Sequence, residues 1–514
     1  MSQELPTAIS ARVSSIALIG LEPAAVDVEL QLSSGMPSFT IVGLPDKAVA
    51  ESRERVRAAL SSLQLALPSK RITVNLAPGD LLKEGSHYDL PIALGLLALM
   101  RIVPSDLCEG AIVMGELGLD ASIRPVPGIL AAAIDASGRN MSLICPQGSA
   151  SEAALIGTDL NIIAAADLLT LIQHLRGEIV LPQPVADEIR DESNFRDLRD
   201  IKGQESAKRA LEIAAAGGHN LLMSGPPGSG KSMLAARING LLPRLTSTEM
   251  LEVALIASVG GRLAERRLSR LPPYRSPHHA ASMAAMVGGG SHARPGEISL
   301  AHNGVLFLDE LPEFGRQVLE ALRQPLETGV VTVSRARCHV TYPARVLLVA
   351  AMNPCRCGHM GDPGLACSKA PQCGRDYQKR ISGPLFDRID LHVDVPAVSP
   401  RDLSLPVPGE DSKNVAARVA AARKVQRERF AASNRADLRC NAMMEGEILY
   451  ALCPIDHDAH VILDRSIEKL RLSARGYHRV IKVARTVADL DGCDTIKRVH
   501  IAEAVSLRHK VARA

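Results

Sequence analysis

The sequence predicts an α/β fold of several domains that ends in a helical region, and three observations lead to this prediction. Short apolar runs alternate with helical stretches over residues 1 to about 180, and again from residue 201 to about 396. Within the second region, an apolar run is followed by the glycine-rich segment GPPGSGKS and then by a helical pattern. After residue 395 the periodicity becomes helical, as in NVAARVAAARKVQRERF.

Length and composition set further limits. The 514 residues allow roughly three domains, and 46% apolar against 22% charged residues indicate packed cores rather than disorder. A net charge of +3 excludes binding driven by bulk charge, so a contact with a polyanion has to come from local basic patches. No apolar run reaches the ~20 residues that a membrane helix needs, and the first residues lack a signal-peptide pattern. We therefore expect a cytoplasmic protein without membrane contact.

We expect four segments along the chain. Residues 1–180 form an α/β domain, with strands such as VDVELQL, FTIVGL, RITVNL, AIVMGEL and SLICP. Residues 181–197 are polar and contain prolines, which is typical of a linker. Residues 198–395 form a second α/β domain, and residues 396–514 form a helical domain.

The segment GPPGSGKS matches the phosphate-binding pattern G-x-x-x-x-G-K-S, with the preceding strand and following helix that this pattern requires. Its glycines allow backbone N–H groups to converge on phosphate oxygens. Lys231 is expected to reach the β- and γ-phosphates, and Ser232 to hold Mg²⁺. The predicted nucleotide-binding residues of this loop are Gly225, Pro226, Pro227, Gly228, Ser229, Gly230, Lys231 and Ser232.

A second motif, GVLFLDEL, is an apolar strand that ends in two acidic residues. In a parallel sheet those residues lie at the same edge as the phosphate loop. Asp309 is suited to hold Mg²⁺, and Glu310 to polarise an attacking water. A strand with a solvated acidic turn would look the same in isolation. Together with the phosphate loop, however, the motif predicts a Mg²⁺-dependent nucleoside triphosphatase.

Further polar residues follow in the order that is typical of AAA+ ATPases. These enzymes have a core of parallel strands between helices, followed by a helical lid. Asn353 ends the apolar run VLLVAAMNP, where it could orient the water or sense the γ-phosphate. Arg388 lies in SGPLFDRIDL and Arg475 in SARGYHR. The segment DIKGQE resembles the adenine-contacting turn of these ATPases. The candidate contacts in that turn are Ile201, Gly203 and Gln204.

Long collinear runs resemble the ComM/YifB family of magnesium-chelatase-like AAA+ ATPases and cover nearly the whole chain. They include FTIVGLPDKAVAESRERVRAAL, RITVNLAPGDLLKEGSHYDLPIALG, GGGSHARPGEISLAHNGVLFLDELPEF and SARGYHRVIKVARTVADL. The resemblance implies a ring, expected to be a hexamer, that hydrolyses ATP at subunit interfaces. Arg388 would then be an arginine finger supplied in trans. Arg475 would be a lid residue that contacts the γ-phosphate in cis, with Arg479 as the second choice for that role.

The resemblance also implies a function on DNA. Members of this family act as branch-migration helicases that extend the joint between incoming single-stranded DNA and the chromosome during natural transformation, so recombination proteins are expected partners. The segment ETGVVTVSRARCHVTYPARV has the pattern of two short strands around a tip that contains Arg335 and Arg337. In related ring helicases, a hairpin at this place in the sequence grips DNA. The insertion AASMAAMVGGGSHARPGEIS, with Arg294, resembles a second pore loop. Arginines at a loop tip can equally be solvated, and with 2% aromatics we expect contacts to the DNA backbone rather than base stacking.

Four cysteines lie close together in NPCRCGHMGDPGLACSKAPQCGRDY: Cys355, Cys357, Cys367 and Cys373. Four thiols in one loop can close a tetrahedral Zn²⁺ site. Their spacing is not that of a standard zinc ribbon, and His359 competes as a ligand. Zinc and free thiols therefore both remain open.

The N-terminal region resembles the Lon-protease fold, but it lacks the residues of a Lon-type peptidase. That chemistry needs a serine nucleophile and a lysine base. In the corresponding stretches EGSHYDLP and VPGILAA, Ser86 lies about where the pattern has a proline, and the lysine position falls on Leu130. We expect no peptidase activity, and a role for this domain in ring assembly or DNA binding.

Two alternatives to an ATP-driven DNA motor remain. A chelatase-type motor that remodels a protein complex would hydrolyse ATP without responding to DNA. An ATP-dependent protease would degrade a casein-like substrate and lose this activity when Ser86 is changed.

Overall fold

The protein is described here from a computed structural model. The described residues are 9–106, 110–187, 195–262, 269–290, 293–334, 339–358, 360, 368–398, 410–470 and 472–508. They form an N-terminal sheet with helices, a parallel sheet with helices, and a set of C-terminal helices. This architecture confirms the predicted mixed α/β fold with a parallel sheet and a helical C-terminal region.

The N-terminal region is built on a mixed sheet. Its strands are β1 (Ile9–Ile19), β2 (Glu22–Ser33), β3 (Ser38–Val42), β4 (Arg71–Ala77), β5 (Ala111–Val113), β6 (Glu116–Leu117), β7 (Ile123–Arg124), β8 (Ser142–Pro146) and β9 (Ile162–Ala165). Its helices are α1 (Lys47–Ser62), α2 (Asp89–Leu99), α3 (Ile129–Gly138), α4 (Ala150–Ala153) and α5 (Leu168–Leu175).

Seven of these strands form one sheet in the order β3-β4-β2-β1-β5-β8-β9, in which β1 and β2 are a long antiparallel hairpin. Side chains alternate between the two faces of a strand. Val13 and Ala17 of β1 therefore pack with α1 and α2, whereas Ile16 packs on the opposite face with α3. The sheet is thus covered by helices on both faces.

The central region contains a parallel sheet and two small hairpins. Its strands are β10 (Leu221–Ser224), β11 (Tyr274–Arg275), β12 (Gly288–Gly289), β13 (Arg294–Pro295), β14 (Gly304–Leu308), β15 (Val330–Ser334), β16 (His339–Pro343), β17 (Val346–Met352) and β18 (Leu391–Asp394). Its helices are α6 (Glu205–Gly217), α7 (Lys231–Ala235), α8 (Ser247–Val259), α9 (Met283–Val287), α10 (Glu297–Leu300), α11 (Arg316–Ala321), α12 (Pro325–Thr328), α13 (Gln372–Gln378) and α14 (Gly383–Phe386).

The sheet order β11-β14-β17-β10-β18 is parallel throughout. Its strands are almost entirely buried because both faces are covered. Val305 and Phe307 of β14 pack in the cluster that contains α6, and Leu306 and Leu308 pack on the other face in the cluster that contains α11. Because the strands are parallel, the residues that follow β10, β14 and β17 share one edge.

The C-terminal region is helical, with α15 (Ser412–Ala432), α16 (Gly446–Leu452), α17 (His457–Leu470), α18 (Ala474–Leu490) and α19 (Arg498–Ser506). It shares one core with α6, and buried hydrogen bonds join the two regions. His219 Nε2 lies 2.7 Å from Thr486 Oγ1, and Gln426 Nε2 donates to the Ala216 carbonyl at 3.1 Å. None of the helices in the described ranges is long and apolar enough to cross a membrane.

Candidate active site

The phosphate loop, residues 225–232, connects β10 to α7, and its conformation depends on its glycines. A Cβ on Gly225 would lie 2.0 Å from the Val395 carbonyl oxygen, so only glycine fits there. Gly228 and Gly230 have φ angles of +75° and +93°, and within the described ranges no atom lies within 4 Å of the position that a Cβ would take. The loop can therefore turn its backbone towards a ligand without steric hindrance.

Lys231 is folded back onto this loop. Its ammonium group donates to the carbonyls of Gly225 and Pro226, both at 2.8 Å, and to Asn353 Oδ1 at 3.2 Å. Burial lowers the pKa of Lys231, and the carboxylates of Asp309 and Glu310 oppose that shift. The structure thus brings together Lys231 and Asn353, which were predicted from separate strands.

Ser232 and Asp309 also meet at this edge. The Ser232 hydroxyl donates to Asp309 Oδ2 at 2.6 Å, and Asp309 Oδ1 accepts from the backbone N–H of Glu310 at 2.9 Å. A hydroxyl and a carboxylate are hard oxygen donors of the kind that Mg²⁺ binds together with substrate phosphates. The donor set therefore fits a magnesium ion.

Glu310 is the second residue after β14 and has a φ angle of +51°, and its side chain is half exposed. A positive φ is uncommon for a residue other than glycine and is often found at functional sites. His279 Nδ1 lies 3.6 Å from Glu310 Oε2, and its ring contacts those of His278 and Phe314. Sequence reasoning gave His279 no role. The signal that could have identified His279 is its position four residues after β11, which is the neighbour of β14 in the parallel sheet.

The turn at residues 201–204 borders the phosphate loop. Ile201 is buried, and Gly203 and Gln204 have φ angles of +64° and +62°. Gln204 Nε2 donates to the Pro396 carbonyl at 2.6 Å and lies 3.5 Å from the Ser229 carbonyl oxygen. The three residues that were expected to contact the adenine therefore lie beside the phosphate loop.

Arg388 and Arg475 lie at the opposite edge of the parallel sheet. The Arg388 carbonyl accepts from Asn220 Nδ2 at 3.0 Å, and Asn220 precedes β10, whereas the phosphate loop follows it. At about 3.3 Å per residue, β10 separates these two positions by roughly 13 Å. Both arginine side chains contact the carboxylate of Glu327, and Arg475 does so at 3.3 Å. A cavity of about 860 Å³ at this edge is lined by both arginines but by no residue of the phosphate loop.

The contact that Arg475 makes in the structure differs from the expected cis contact with the γ-phosphate. The structure places its side chain beside Arg388 rather than beside the phosphate loop of its own chain. Arg479, the second choice for the lid role, is held in place instead. It forms an ion pair with Asp390 and donates to the Arg388 carbonyl at 3.0 Å. Although burial opposes ionisation, Arg479 and His219 hold the pKa of Asp390 well below its ordinary value.

The cysteine segment follows Asn353 directly and packs on the phosphate loop. The Sγ atoms of Cys355, Cys357 and Cys373 lie within 4.8 Å of one another, and those of Cys355 and Cys357 are 3.0 Å apart. A Cβ on Gly358 would lie 2.4 Å from Pro227 Cδ. Three of the four predicted thiols are therefore together. Cys367 and the competing His359 lie outside the described residues.

The candidate DNA contacts are described only in part. Arg294 is exposed on β13. The strands β15 and β16 form the expected hairpin, with Val330 opposite Pro343 and Ser334 opposite His339. Its tip, with Arg335 and Arg337, lies outside the described residues.

In the N-terminal region, Ser86 donates its hydroxyl to the carboxylate of Glu116. Leu130, at the position where the Lon pattern has its lysine, is fully buried in α3. The side chain at the position of the Lon lysine is therefore apolar and cannot act as a base.

Comparisons with known proteins agree with the resemblance seen in the sequence. Family models match residues 28–149 (subunit ChlI of Mg-chelatase), 197–403 (magnesium chelatase, subunit ChlI) and 409–508 (magnesium chelatase, subunit ChlI C-terminal). The chain is 45% identical to the competence protein ComM of Haemophilus influenzae over 507 residues, 97% of both chains. It is 44% identical to YifB of Salmonella typhimurium over 497 residues, 96% of both. A chloroplastic magnesium-chelatase subunit ChlI of Nicotiana tabacum is 22% identical over 232 residues, 45% of this chain and 48% of that one. The chain belongs to the ComM/YifB family of magnesium-chelatase-like AAA+ proteins.

Proposed function

We propose that this chain is an ATP-hydrolysing ring motor that acts on DNA as a branch-migration helicase. The observation that carries the ATPase proposal is the meeting of Lys231, Asn353, Ser232 and Asp309 at one edge of the parallel sheet. The two arginines at the opposite edge support a ring, because they could complete the site of a neighbouring copy.

The residues of the phosphate loop would bind and orient the nucleotide. Lys231 would exchange the carbonyls of Gly225 and Pro226 for phosphate oxygens. Ser232 and Asp309 would hold Mg²⁺, which neutralises charge on the phosphates when it is bound. The turn with Ile201, Gly203 and Gln204 would contact the adenine.

Glu310 would act as the general base. It would accept a proton from a water whose oxygen bonds to the γ-phosphorus, while the bond from that phosphorus to the β–γ bridging oxygen breaks. Asn353 lies 3.2 Å from the ammonium group of Lys231, so it would orient the same water or contact the γ-phosphate. The products would be ADP and phosphate.

Arg388 and Arg475 would both act in trans on the nucleotide of a neighbouring subunit. An arginine supplied to the transferred phosphoryl group accelerates hydrolysis by ~10³–10⁵ because it stabilises the developing charge. Since Glu327 holds both guanidinium groups on one face of the chain, the two arginines would reach the same γ-phosphate. The ring is proposed to be a hexamer.

The DNA part of the proposal rests on the relation to ComM and on two loops. The relative from Haemophilus influenzae is named a competence protein, and similarity to it extends over 97% of this chain. Arg294 is exposed on β13, and the hairpin β15–β16 would carry Arg335 and Arg337 at its tip. Incoming single-stranded DNA and branched DNA would be the substrates, with recombination proteins as partners.

The experiment that tests the proposal is the ATPase rate of the purified chain with and without single-stranded and branched DNA, across a range of salt concentrations. We expect stimulation that declines as salt rises, because contacts to phosphates release counterions. ATP hydrolysis that ignores DNA would instead favour a chelatase-type motor that remodels a protein complex. The absence of any ATPase activity would contradict both functions.

We also propose that the cysteine cluster binds Zn²⁺. Three thiol groups within 4.8 Å provide three of the four ligands of a tetrahedral site, with Cys367 as the expected fourth. Zinc measured by mass spectrometry should be stoichiometric in the wild type and lost in Cys373→Ser, with Cys145→Ser, a buried thiol elsewhere, as the control. A metal-free wild type would contradict the site. We propose a cytoplasmic location, because ten cysteines in 514 residues are too few for a disulfide scaffold.

A further inference from the structure

We propose that the N-terminal region acts as a brace for the two candidate DNA loops of the motor, which means that it packs against both loops and fixes their position. We further propose that this packing requires glycine at position 20. The ATPase mechanism proposed above assigns no role to the region built on β1–β9. The turn between β1 and β2 lies against the hairpin β15–β16. This contact would fix the position of the hairpin during the ATPase cycle.

The contact is a small apolar cluster, which we call the junction cluster. Val340 and Tyr342 on β16 and Val259 at the end of α8 are buried there, and Leu18 and Leu21 from the N-terminal region pack against them. Residues alternate along β16, so that Val340 and Tyr342 are buried and His339 and Thr341 are exposed. The N-terminal region therefore covers the apolar face of the hairpin and leaves its polar face open.

Gly20 lies at the centre of this contact. It forms the turn between β1 and β2 with a φ angle of +68°, and a Cβ there would lie 2.4 Å from Val340 Cγ1. Valine has few χ1 rotamers, so Val340 cannot move aside easily. The other neighbours of that Cβ position are at ordinary distances, with Val340 Cβ at 3.6 Å and the Thr341 carbonyl oxygen at 3.8 Å. The close approach therefore depends on the Cγ1 methyl group of Val340.

The junction cluster also reaches the second candidate loop. The Tyr342 hydroxyl donates to the Ala293 carbonyl at 2.9 Å, and Ala293, which is buried in the same cluster, precedes the exposed Arg294. The side chain of Val333 on β15 lies 3.4 Å from the Cβ position of Gly288 in the partner strand of β13. One brace would thus hold both loops.

A second attachment lies next to the first. The N–H of Gly128 donates to the Ser258 carbonyl at 3.2 Å. The carboxylate of Glu152 accepts from the Leu130 N–H at 3.0 Å and from the Ser258 hydroxyl. Since Ser258 is adjacent to Val259 of the junction cluster, the N-terminal region contacts two consecutive residues at the end of α8.

The test is Gly20→Ala, with Gly177→Ala as the matched control. Gly177 is in the same region and has a φ angle of +73°, but no atom of the residues that the structure describes lies within 4 Å of its Cβ position. Both substitutions therefore carry a similar backbone cost, and only Gly20→Ala disturbs the contact. The compensating change is Val340→Ala, which removes the methyl group that the new Cβ would meet.

The primary measurement is hydrogen–deuterium exchange of the full-length chain over residues 330–334 and 339–343. We expect exchange about fivefold faster in Gly20→Ala than in Gly177→Ala, since weakened packing raises local opening. In the Val340→Ala background, Gly20→Ala should add little. Equal exchange in Gly20→Ala and Gly177→Ala, or an effect of the same size in both backgrounds, would overturn the brace.

The functional consequence rests on the proposed DNA motor and is measured separately. DNA stimulation of ATP hydrolysis should fall in Gly20→Ala and recover with Val340→Ala, while the rate without DNA stays at the level of Gly177→Ala. If DNA does not stimulate the wild type, the proposed function fails, and the exchange measurement still decides on the brace. If it stimulates the wild type and Gly20→Ala equally, the brace has no role in the motor.

Discussion

Arg388 and Arg475 contact the same carboxylate, that of Glu327, although one precedes β18 and the other lies in the first turn of α18. Arg388 is buried, whereas the Arg475 side chain is 61% exposed. Among the described residues, the Nε atom of Arg388 has no hydrogen-bond partner. A buried guanidinium that is only partly satisfied is well suited to accept a further anionic partner.

If both arginines act in trans as proposed, Glu327 would compete with the γ-phosphate for them. The hydrogen bond from Arg388 is the largest cause that lowers the pKa of Glu327, so this carboxylate is ionised at neutral pH. Glu327→Gln removes the charge and should release both arginines. The exposed Arg475–Glu327 pair alone contributes about 0.2–1 kcal/mol, so the ATP concentration for half-maximal rate should fall by a factor of at least roughly 1.4 to 5. Steady-state ATPase titrations of the two chains measure this.

Glu320→Gln is a suitable control, because Glu320 pairs with Arg323 away from these arginines. A higher ATP requirement in Glu327→Gln than in the wild type would contradict competition. It would mean instead that Glu327 positions the arginines.

Mixed rings can establish whether each arginine acts in trans. Lys231→Ala should disable its own phosphate loop and still supply both arginines to a neighbour. Arg388→Ala and Arg475→Ala should each have an intact loop and fail to supply one arginine. In a head-to-tail ring of equal amounts, roughly a quarter of the sites would then be complete, so each mixture should regain part of the wild-type rate.

The Arg475→Ala mixture separates the two roles considered for that residue. With Arg475 in cis, neither partner would have a complete site, and the mixture would remain inactive at every ratio. Recovery in the Arg388→Ala mixture alone would therefore return Arg475 to the cis role. Lys231→Ala mixed with the wild type is the control for subunit exchange.

His279 is expected to position Glu310 for proton abstraction. Its Nδ1 atom lies 3.6 Å from Glu310 Oε2, and the T-shaped contact with Phe314 holds the ring. His279→Ala should lower kcat about tenfold with little change in KM, because ground-state ATP binding involves other residues. His279→Asn should recover part of the rate, since its amide nitrogen takes the place of Nδ1.

Glu310→Gln should lower kcat by about 10²–10⁴ and keep ATP binding.

His278→Ala is the neighbouring control, because His278 accepts from the Ala280 N–H and does not contact Glu310 in the structure. Equal losses in His278→Ala and His279→Ala would indicate a structural effect of the loop. A rise in KM with unchanged kcat would place His279 in nucleotide binding.

The parts of this site that the sequence predicts are those in which local pattern and position agree. The phosphate loop, Asp309 and Asn353 each follow a short apolar strand, and parallel pairing brings the ends of β10, β14 and β17 together. The contact of Arg475 with Glu327 joins α18 to α12, and no local pattern specifies how the C-terminal helices pack on the sheet. For the same reason, the close approach of Gly20 to Val340 could not be predicted.

β1 was absent from the predicted strands for a different reason. Its centre contains Ser14 and Ser15, which interrupt the apolar alternation. Ser15 is nevertheless buried, because its hydroxyl donates to the Val113 carbonyl of the neighbouring strand at 2.8 Å. A buried polar residue that hydrogen-bonds to the neighbouring strand thus breaks the apolar alternation, so that periodicity alone does not detect the strand.

Glu152 makes the attachment of the N-terminal region sensitive to pH. Burial raises the pKa of Glu152 above its ordinary value of 4.5, and the hydrogen bonds from Ser258 and Leu130 only partly oppose this. A carboxyl whose pKa is higher in the folded than in the unfolded state favours folding at low pH, and this contribution is lost as the pH rises through the folded value.

Glu152→Gln keeps the accepting oxygen and carries no charge. It should therefore unfold at a higher temperature than the wild type at about pH 8, and the difference should shrink as the pH falls towards 4.5. Thermal unfolding across this range measures it, with Glu178→Gln, on an exposed ion pair, as the control. A wild type that gains on Glu152→Gln as the pH rises would mean that the ionised carboxylate stabilises this attachment.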